Sequence, residues 1–578
     1  MILQALNDYY DRKAASPNAA ERLPAFGLEE KEIPFILEIT HDGQLVQIAD
    51  TRTMQGKKKI GQRFLVPMGV KKTSGVAANL LWDNAGYVFG IDAKGKPERA
   101  AEQKVAFRAR IEALPLAAKE IAGVRAVLAF LCGIEPARLE REPAWGDILE
   151  SNPLLTFRLH GETDLICQHP DIAAAAAGPD GEEAGAGLCL ITGRIGPVER
   201  LHAAIKGVWD AQTSGANIVS FNLDAFNSYG KSQGANAPVG KRAAFAYTTA
   251  LNHLLARDSR QRVQVGDAST VFWAEKQDEF EDLFGNLVRD DPDAGTQAMK
   301  ALFDAVRSGK YATPEGDTRF YVLGLAPNAA RIALRFWHVA TVREMAEAFA
   351  RHFEDLRVAR GPNEPEYLSL FRLLVSVSVQ GKADNIPPNL GGDVMRAVLA
   401  GSPYPATLLN AAVGRCRAEQ RVSYARAAIL KAWLNRDIRR SNLSSNFRQK
   451  EFDAMLDPSN PNPAYRLGRL FAALEKIQEE ASPGLNATIR DRYYGAASST
   501  PVTVFTTLLR LKNHHLAKLP MGRKVQMEKL LGEIMAGLED FPPHLALPEQ
   551  GRFALGYYHQ RHDFFQKHEP QTATASNA

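Results

Sequence analysis

Apolar and polar positions change their period along the chain. Near the front the period is short. Phe35-Ile36-Leu37-Glu38-Ile39 and Gln44-Leu45-Val46-Gln47-Ile48 are two β-prone runs around His41-Asp42-Gly43. Gly tolerates the positive φ that a tight hairpin turn needs, so the pair predicts a β-hairpin. A helix-compatible stretch covers 104–128, with a break or kink at Pro115, which cannot donate to the helical ladder. Residues 171–187 are Ala, Gly and acid around Pro179-Asp180-Gly181, which predicts an exposed, variable loop.

From about Ala326 the texture turns helical. Segments 331–353, 368–380 and 424–438 are helix-compatible. Leu467, Leu470, Phe471, Leu474 and Ile477 recur at helical spacing. Thr500-Pro501 suits an N-cap followed by proline at the first helical position. Val504, Phe505, Leu508, Leu509 and Leu511 continue that face, and Leu530, Leu531, Ile534, Met535 and Leu538 make another. Asp457-Pro458-Ser459-Asn460-Pro461-Asn462-Pro463 is the strongest linker signal, and 571–578 suits a frayed tail. The pattern predicts an α+β chain in three parts: a mixed domain at 1–330, a helical middle at 331–454, and a helical bundle at 455–578.

Composition narrows the classes. The chain has 578 residues, 45% hydrophobic and 24% charged, which allows several cores of ordinary globular kind. Seventy Lys and Arg against 66 Asp and Glu leave +4. That balance argues against a general nucleic-acid coat but permits local positive fields. Cys132, Cys167, Cys189 and Cys416 form no CxxC pair, so neither a disulfide scaffold nor a thiolate zinc site is expected. The first residues lack a basic n-region and reach Asp8 early, unlike a secretory signal. No run approaches ~18 apolar residues, so no membrane span is expected. A cytoplasmic home follows as the expectation.

The charge is uneven. Segment 51–82 holds Arg52, Lys57, Lys58, Lys59, Arg63, Lys71 and Lys72 and no acid. Within it, Lys71-Lys72-Thr73-Ser74-Gly75 and Asn79 combine ammonium, hydroxyl and amide groups. Such groups suit phosphate oxygens, and an amide suits a base edge. A solvated loop beside a strand would have the same composition. Segment 220–238 is dense in amides, hydroxyls and glycine, including Asn227, Ser228, Tyr229, Lys231, Ser232, Gln233 and Asn236. Loops of this kind often carry function, and plain surface loops share the composition. The following Lys241-Arg242 leads into a helix whose Tyr247 and Leu251 suit a core. Segment 415–450 carries ten basic residues, Arg426 and Arg436 among them, against Glu419 and Asp437. A basic helix beside Trp433 suits a nucleic-acid backbone, an acidic protein or plain solvent.

His559-Gln560-Arg561-His562-Asp563 offers helical spacing for a metal, but Arg561 disfavours a cation, so surface or phosphate-contacting histidines are expected. The chain has no P-loop, no H-E-x-x-H, no G-x-S-x-G and no Rossmann fingerprint. Asp83 stands alone, and an isolated carboxylate does not make a two-metal nuclease. No recognisable motif marks a catalytic residue, metal or cofactor, which leaves open catalysis by residues scattered in the sequence.

The opening Met1-Ile2-Leu3-Gln4-Ala5-Leu6-Asn7-Asp8-Tyr9-Tyr10 and Ile33-Pro34-Phe35 resemble the large subunit of type I-C CRISPR Cascade complexes. So do Val66-Pro67, Thr73-Ser74-Gly75 and Asn79-Leu80-Leu81-Trp82-Asp83-Asn84-Ala85-Gly86-Tyr87-Val88. Leu201-His202, Ile205-Lys206-Gly207-Val208, Ser220-Phe221-Asn222, Ser228-Tyr229-Gly230 and Asn236-Ala237-Pro238 continue the likeness. Gly266-Asp267, Phe272-Trp273-Ala274 and Asn513-His514-His515-Leu516 carry it towards the C-terminus. Each motif is weak alone; together they are specific and run in order over essentially the whole chain.

The resemblance implies a non-catalytic subunit of a crRNA-guided surveillance complex. Such a subunit recognises the protospacer-adjacent motif on double-stranded DNA, helps open the duplex into an R-loop, stabilises the displaced single strand and helps recruit a helicase–nuclease. Its partners would be the crRNA, target DNA, the Cascade backbone subunits and a small subunit made from an internal start, near Met455 here. On that reading Lys71, Lys72, Thr73, Ser74, Gly75 and Asn79 contact the motif duplex. Lys231, Ser232, Gln233 and Asn236 adjoin them, with Gln233 as the wedge. Arg52, Lys57, Lys58, Lys59, Arg63, Arg426, Arg436, Arg510 and Lys512 would meet the displaced strand or backbone phosphates. The division of labour, with protein reading a short motif and base pairing reading the rest, is that of other RNA-guided systems. Two other readings stand beside it: a DNA-cleaving enzyme with dispersed catalytic residues, and an assembly scaffold holding the crRNA handle.

Overall fold

The computed structural model describes residues 1–578 except 19–20, 57, 71–74, 92–96, 178–185, 446–447 and 567–578. The chain forms two compact units. One takes Met1–Ala203 and Val219–Leu251, the other Ala204–Ile218 and Asn252–Ala578.

In the first unit, strands Leu45–Asp50, Phe35–Ile39, Leu154–Leu159 and Trp82–Asn84 lie side by side in that order. The predicted hairpin is present: Phe35–Ile39 pairs antiparallel with Leu45–Asp50, and Gly43 sits at φ +79°. A Cβ there would strike the backbone at Ala126 and Phe130, because the helix Ala122–Gly133 lies against the turn. Phe35–Ile39 is buried at every residue, as suits an interior strand. Its parallel neighbour Leu154–Leu159 can only be reached by a crossover. Helices Pro97–Glu112, Leu116–Lys119 and Ala122–Gly133 lie along that crossover, interrupted at Pro115 as expected. Phe107 and Phe130 pack on Phe157 at 6.3 and 5.8 Å between ring centroids. The Ala-rich stretch differs from its expected loop. Pro170–Ala177 is a helix, started by proline and carried by the best helix former, with Ile172 fully buried.

The second unit has an antiparallel sheet of Arg262–Val265, Ala268–Ala274, Arg319–Asn328 and Arg331–Thr341. Phe284 joins the sheet's Phe272 and Phe320 to the helix residue Phe349, with centroids 4.6, 5.0 and 5.2 Å from its own. The long helix expected at 331–353 is replaced by a strand and a helix. Ile332, Phe336, Trp337 and Val339 are β-prone residues paired with Arg319–Asn328. Thr341 and Glu344 form a capping box that starts the helix Val342–Leu356 only after the strand ends.

The C-terminal helices do not stand apart. Pro463–Ala481 and Leu547–Asp563 cross at Gly468 and Gly556, where a Cβ on either would strike the other's backbone. Leu547–Asp563 also packs on the preceding region, with the Tyr558 hydroxyl donating to the Ala359 carbonyl at 2.6 Å. One continuous core therefore runs from Val265 to Tyr558. The division between units falls inside the expected 1–330 segment, and 331–454 and 455–578 share one core. The expected linker is pinned as well. Arg466 and Arg469 donate to the carbonyls of Asn460 and Pro458 at 2.8 Å each. The α+β class is the one observed, with sheets towards the N-terminus and helices filling the C-terminal half. Among the described residues no helix is long and apolar enough to cross a membrane.

Candidate nucleic-acid interface

The first loop runs from the strand Gln62–Pro67 to the strand Trp82–Asn84, and its two ends are tied together. Trp82 donates its indole N–H to the Pro67 carbonyl at 2.7 Å. The Gly69 amide donates to Glu29 at 2.7 Å, and the Val70 amide to the Asn79 side-chain oxygen at 3.0 Å. The Asn79 amide itself donates to Asp83 at 2.9 Å. Leu81 is fully buried at φ +62°, a conformation a branched residue holds only when its surroundings impose it. Its carbonyl accepts from the Thr156 hydroxyl at 3.1 Å. Gly75, at φ +83°, is exposed and has open space around it. Lys71, Lys72, Thr73 and Ser74 lie outside the described residues.

Asn79 changes role. It is 5% exposed and its oxygen holds Val70, so it closes the base of the loop. The sequence expectation of a base-reading amide is corrected by this burial.

The neighbouring cations divide in two. Arg52 is engaged internally, 2.7 Å from Asp50 and 2.5 Å from Asp147, with its guanidinium 4.5 Å from the Phe35 ring centroid. Its hydrogen bond to Asp50 holds that carboxyl below the usual range. Arg52 therefore braces two segments, and it is withdrawn from the expected phosphate contacts. Lys58 and Lys59 are exposed on the hairpin of Thr53–Gln55 and Lys58–Ile60, and Arg63 is exposed in the strand Gln62–Pro67, paired with Glu32 across the ladder. Lys57 lies outside the described residues.

The second loop is organised by Asn236. Its oxygen accepts from the Ser228 amide at 3.1 Å, and its NH2 donates to the carbonyls of Lys231 and Gln233 at 3.2 and 3.0 Å. Inside this clamp, Ser228-Tyr229-Gly230-Lys231 is a tight turn, closed by the Lys231 amide on the Ser228 carbonyl at 2.9 Å. Tyr229 and Gly230 have φ +51° and +70°, the pattern of a type I′ turn. Gly234 is buried, and a Cβ there would collide with the carbonyls of Glu199 and Arg200, which fixes the clamp to the unit beneath. Lys231 and Ser232 are exposed, and Gln233 is half-buried at φ +47°. The turn lifts Tyr229 to 98% exposure. Sequence reasoning singled out Gln233 and passed over Tyr229. Ser-Tyr-Gly-Lys was readable only as a loop, because a Tyr at positive φ is not predictable from composition.

The basic stretch 415–450 turns inward. Arg436 is 3% exposed, 2.8 Å from Asp355, donates to the carbonyls of Ala397 and Ser402, and stacks 4.1 Å from the Tyr404 ring centroid. Arg426 is 6% exposed, paired with Glu419 at 2.6 Å and bonded to the Ser376 carbonyl. Lys431 is buried too and donates to the Asp355 carbonyl at 3.0 Å. The expected contacts at Arg426 and Arg436 are thus corrected: long basic side chains of an inner helix satisfy carbonyls and carboxylates of the core. His559 is likewise interior, 2.9 Å from the Tyr465 hydroxyl, and not a surface histidine.

Further on, residues 492–527 contain no acid. Arg510 is exposed on the helix Val502–Leu516, and Lys512 is half-buried, bonded to Asn513 at 3.2 Å. Partial burial, then Lys518 and His514, hold the His515 pKa down. Gly75, Asn79, Lys58, Lys59, Arg63, Lys231, Ser232, Gln233 and Asn236 belong to the first unit, and Arg510 and Lys512 to the second. Among the described residues no group of three or more His, Cys, Asp and Glu could hold a metal ion. Burial pushes the Cys167 and Cys416 thiols up to about 12, which makes them inert core groups.

The family model described as CRISPR-associated protein (Cas_Csd1) matches residues 6–565. No curated protein matches the chain.

Proposed function

The chain belongs to the Cas_Csd1 family of CRISPR-associated proteins, and from that premise we propose that it is the non-catalytic large subunit of a type I-C Cascade. It recognises the protospacer-adjacent motif on double-stranded DNA, promotes duplex opening and steadies the displaced strand. It works with crRNA, the backbone subunits and a recruited helicase–nuclease in the cytoplasm. One observation carries this reading: within a family match spanning nearly the whole chain, the acid-free segment 51–82 contains a loop tied at both ends. The ties fix where the segment leaves and rejoins the sheet, so the ends that deliver its cations and hydroxyls need no ordering on binding.

In this reading Lys71, Lys72, Thr73, Ser74 and Gly75 supply donors to the motif duplex, and Asn79 holds them in place. Lys58, Lys59 and Arg63 give sequence-independent attraction to phosphates. Lys231, Ser232 and Gln233 adjoin the opened pair, Gln233 as the wedge, and Asn236 sets their loop. Arg510 and Lys512 face the displaced strand. Lys72→Ala tests the duplex role: loss of a base reader relaxes motif preference by about 1–3 kcal/mol, whereas loss of a phosphate clamp weakens all sequences alike. Unchanged binding in Lys72→Ala and Gln233→Ala at physiological salt would remove both assignments.

The family resemblance also motivates an internal start near Met455, yielding a small subunit from 455–578. Met455 is exposed, just before the pinned segment leading to the helix Pro463–Ala481. N-terminal sequencing of a short co-purifying product tests this; a complex lacking such a product would count against it.

A further inference from the structure

We propose that Tyr229 is a stacking platform for an unpaired DNA base, displayed on a rigid turn at the tip of the second loop. This rests on the DNA-binding reading above and identifies a residue which that reading does not use. A tyrosine ring normally lowers its free energy by covering its faces, yet Tyr229 is 98% exposed. Its backbone is at φ +51°, where bulky side chains are rare. Flexibility does not explain the exposure. The turn is closed by the Lys231 amide on the Ser228 carbonyl at 2.9 Å. Asn236 holds both its strands, through the Ser228 amide on one side and the Lys231 carbonyl on the other. Gly234 seats the whole clamp against the carbonyls of Glu199 and Arg200.

The surroundings fit a nucleotide. Residues 225–240 contain no acid. Ser228, Lys231 and Ser232, within three residues of Tyr229, are exposed and offer hydroxyl and ammonium groups to the phosphate of a nucleotide whose base lies on the ring. Both faces of the ring are free, and every base has a π-face, so the contact is tolerant of sequence. A base still paired within a duplex is stacked on its neighbours and unavailable; a base at a fork is not. Tyr229 therefore favours opened over closed DNA, which is the direction needed for duplex opening.

The test uses the purified full chain and two DNA probes of mixed sequence, one fully paired and one forked at one end. Tyr229→Ala is expected to bind the fork roughly 5- to 150-fold more weakly than wild type, the range of base–aromatic stacking, with little change on the paired duplex. Tyr229→Phe keeps the ring and is expected to bind like wild type. Because the side chain lies in solvent, thermal melting of all three proteins should coincide. Equal fork binding by Tyr229→Ala and wild type would overturn the proposal, as would a Tyr229→Phe as weak as Tyr229→Ala. A loss confined to an RNA fork of the same sequence would overturn the assignment to DNA. Failure of the wild type to bind either DNA would instead overturn the broader DNA-binding reading, and this proposal with it.

Discussion

Replacing Asn236 by alanine should loosen one loop and leave the rest of the chain intact. The side chain makes three hydrogen bonds: one from the Ser228 amide and two to the carbonyls of Lys231 and Gln233. The first two are exposed and the third is partly buried. Taking about 0.5 kcal/mol for each exposed bond and about 0.5–1.5 kcal/mol for the third, the loop loses about 1.5–2.5 kcal/mol of local stability. At about 1.4 kcal/mol per tenfold, opening becomes roughly 10- to 60-fold more frequent. Native-state hydrogen exchange reads this directly, at the Ser228 and Lys231 amides. Protection at both should fall by that factor, while the buried strand Phe35–Ile39 is unchanged. Asn236→Asp is the sharper control. It keeps the acceptor for Ser228 but loses both donors and sets a carboxylate against two carbonyl oxygens, so the Lys231 amide should still lose protection. If either variant exchanged like wild type at both amides, Asn236 would not be the organiser of this loop.

Lys58→Ala and Lys59→Ala should each reduce the slope of log affinity against log salt by about one without moving the melting temperature, since each exposed cation that meets a phosphate releases about one counterion; unchanged slopes would place these lysines off the DNA. Arg436→Ala should destabilise the second unit by about 3–5 kcal/mol, towards the lower end because Arg439 also pairs with Asp355, seen as a lower denaturation midpoint; a variant of wild-type stability with weaker DNA binding would refute the structural role. Burial lowers the pKa of His352 and of His559 from the ordinary 6.5 to about 3. In the window between those values the unfolded chain binds more protons, so stability is fully present above about 6.5 and falls as pH drops towards 3. Melting against pH should show this loss, and His559→Gln should make it shallower; an equally steep loss in His559→Gln would contradict the assignment to that group.

The elements legible in the sequence were those with a local cause. Asp42-Gly43 between two β-prone runs marked the hairpin, and Pro115 marked the helix break. The apolar period of Leu467, Leu470, Phe471, Leu474 and Ile477 marked a helix of the C-terminal core. The failures had tertiary causes. Residues 331–341 have helix-compatible spacing but become a strand because Arg319–Asn328 lies ready to pair with them. Arg426 and Arg436 count as positive charge in any window of sequence, yet Glu419, Asp355 and core carbonyls from distant segments consume their donors. Asn79 looked like a reader because amides read bases; its partner Val70 sits nine residues upstream, across the loop. Tyr229 was passed over because its exposure depends on a turn conformation and on the clamp from Asn236. Loop composition located the candidate region, and only geometry separated the groups that face outward from those that hold them.

Motif choice by the assembled complex is the most direct measurement. Duplexes carrying a short randomised window beside a guide-matched sequence should be selected for binding, with the wild-type chain and with Lys72→Ala in otherwise identical complexes. One short motif should be enriched by the wild type, and its enrichment should flatten in the variant while guide pairing still operates. Equal recovery of all window sequences by the wild-type complex would contradict motif recognition by this chain.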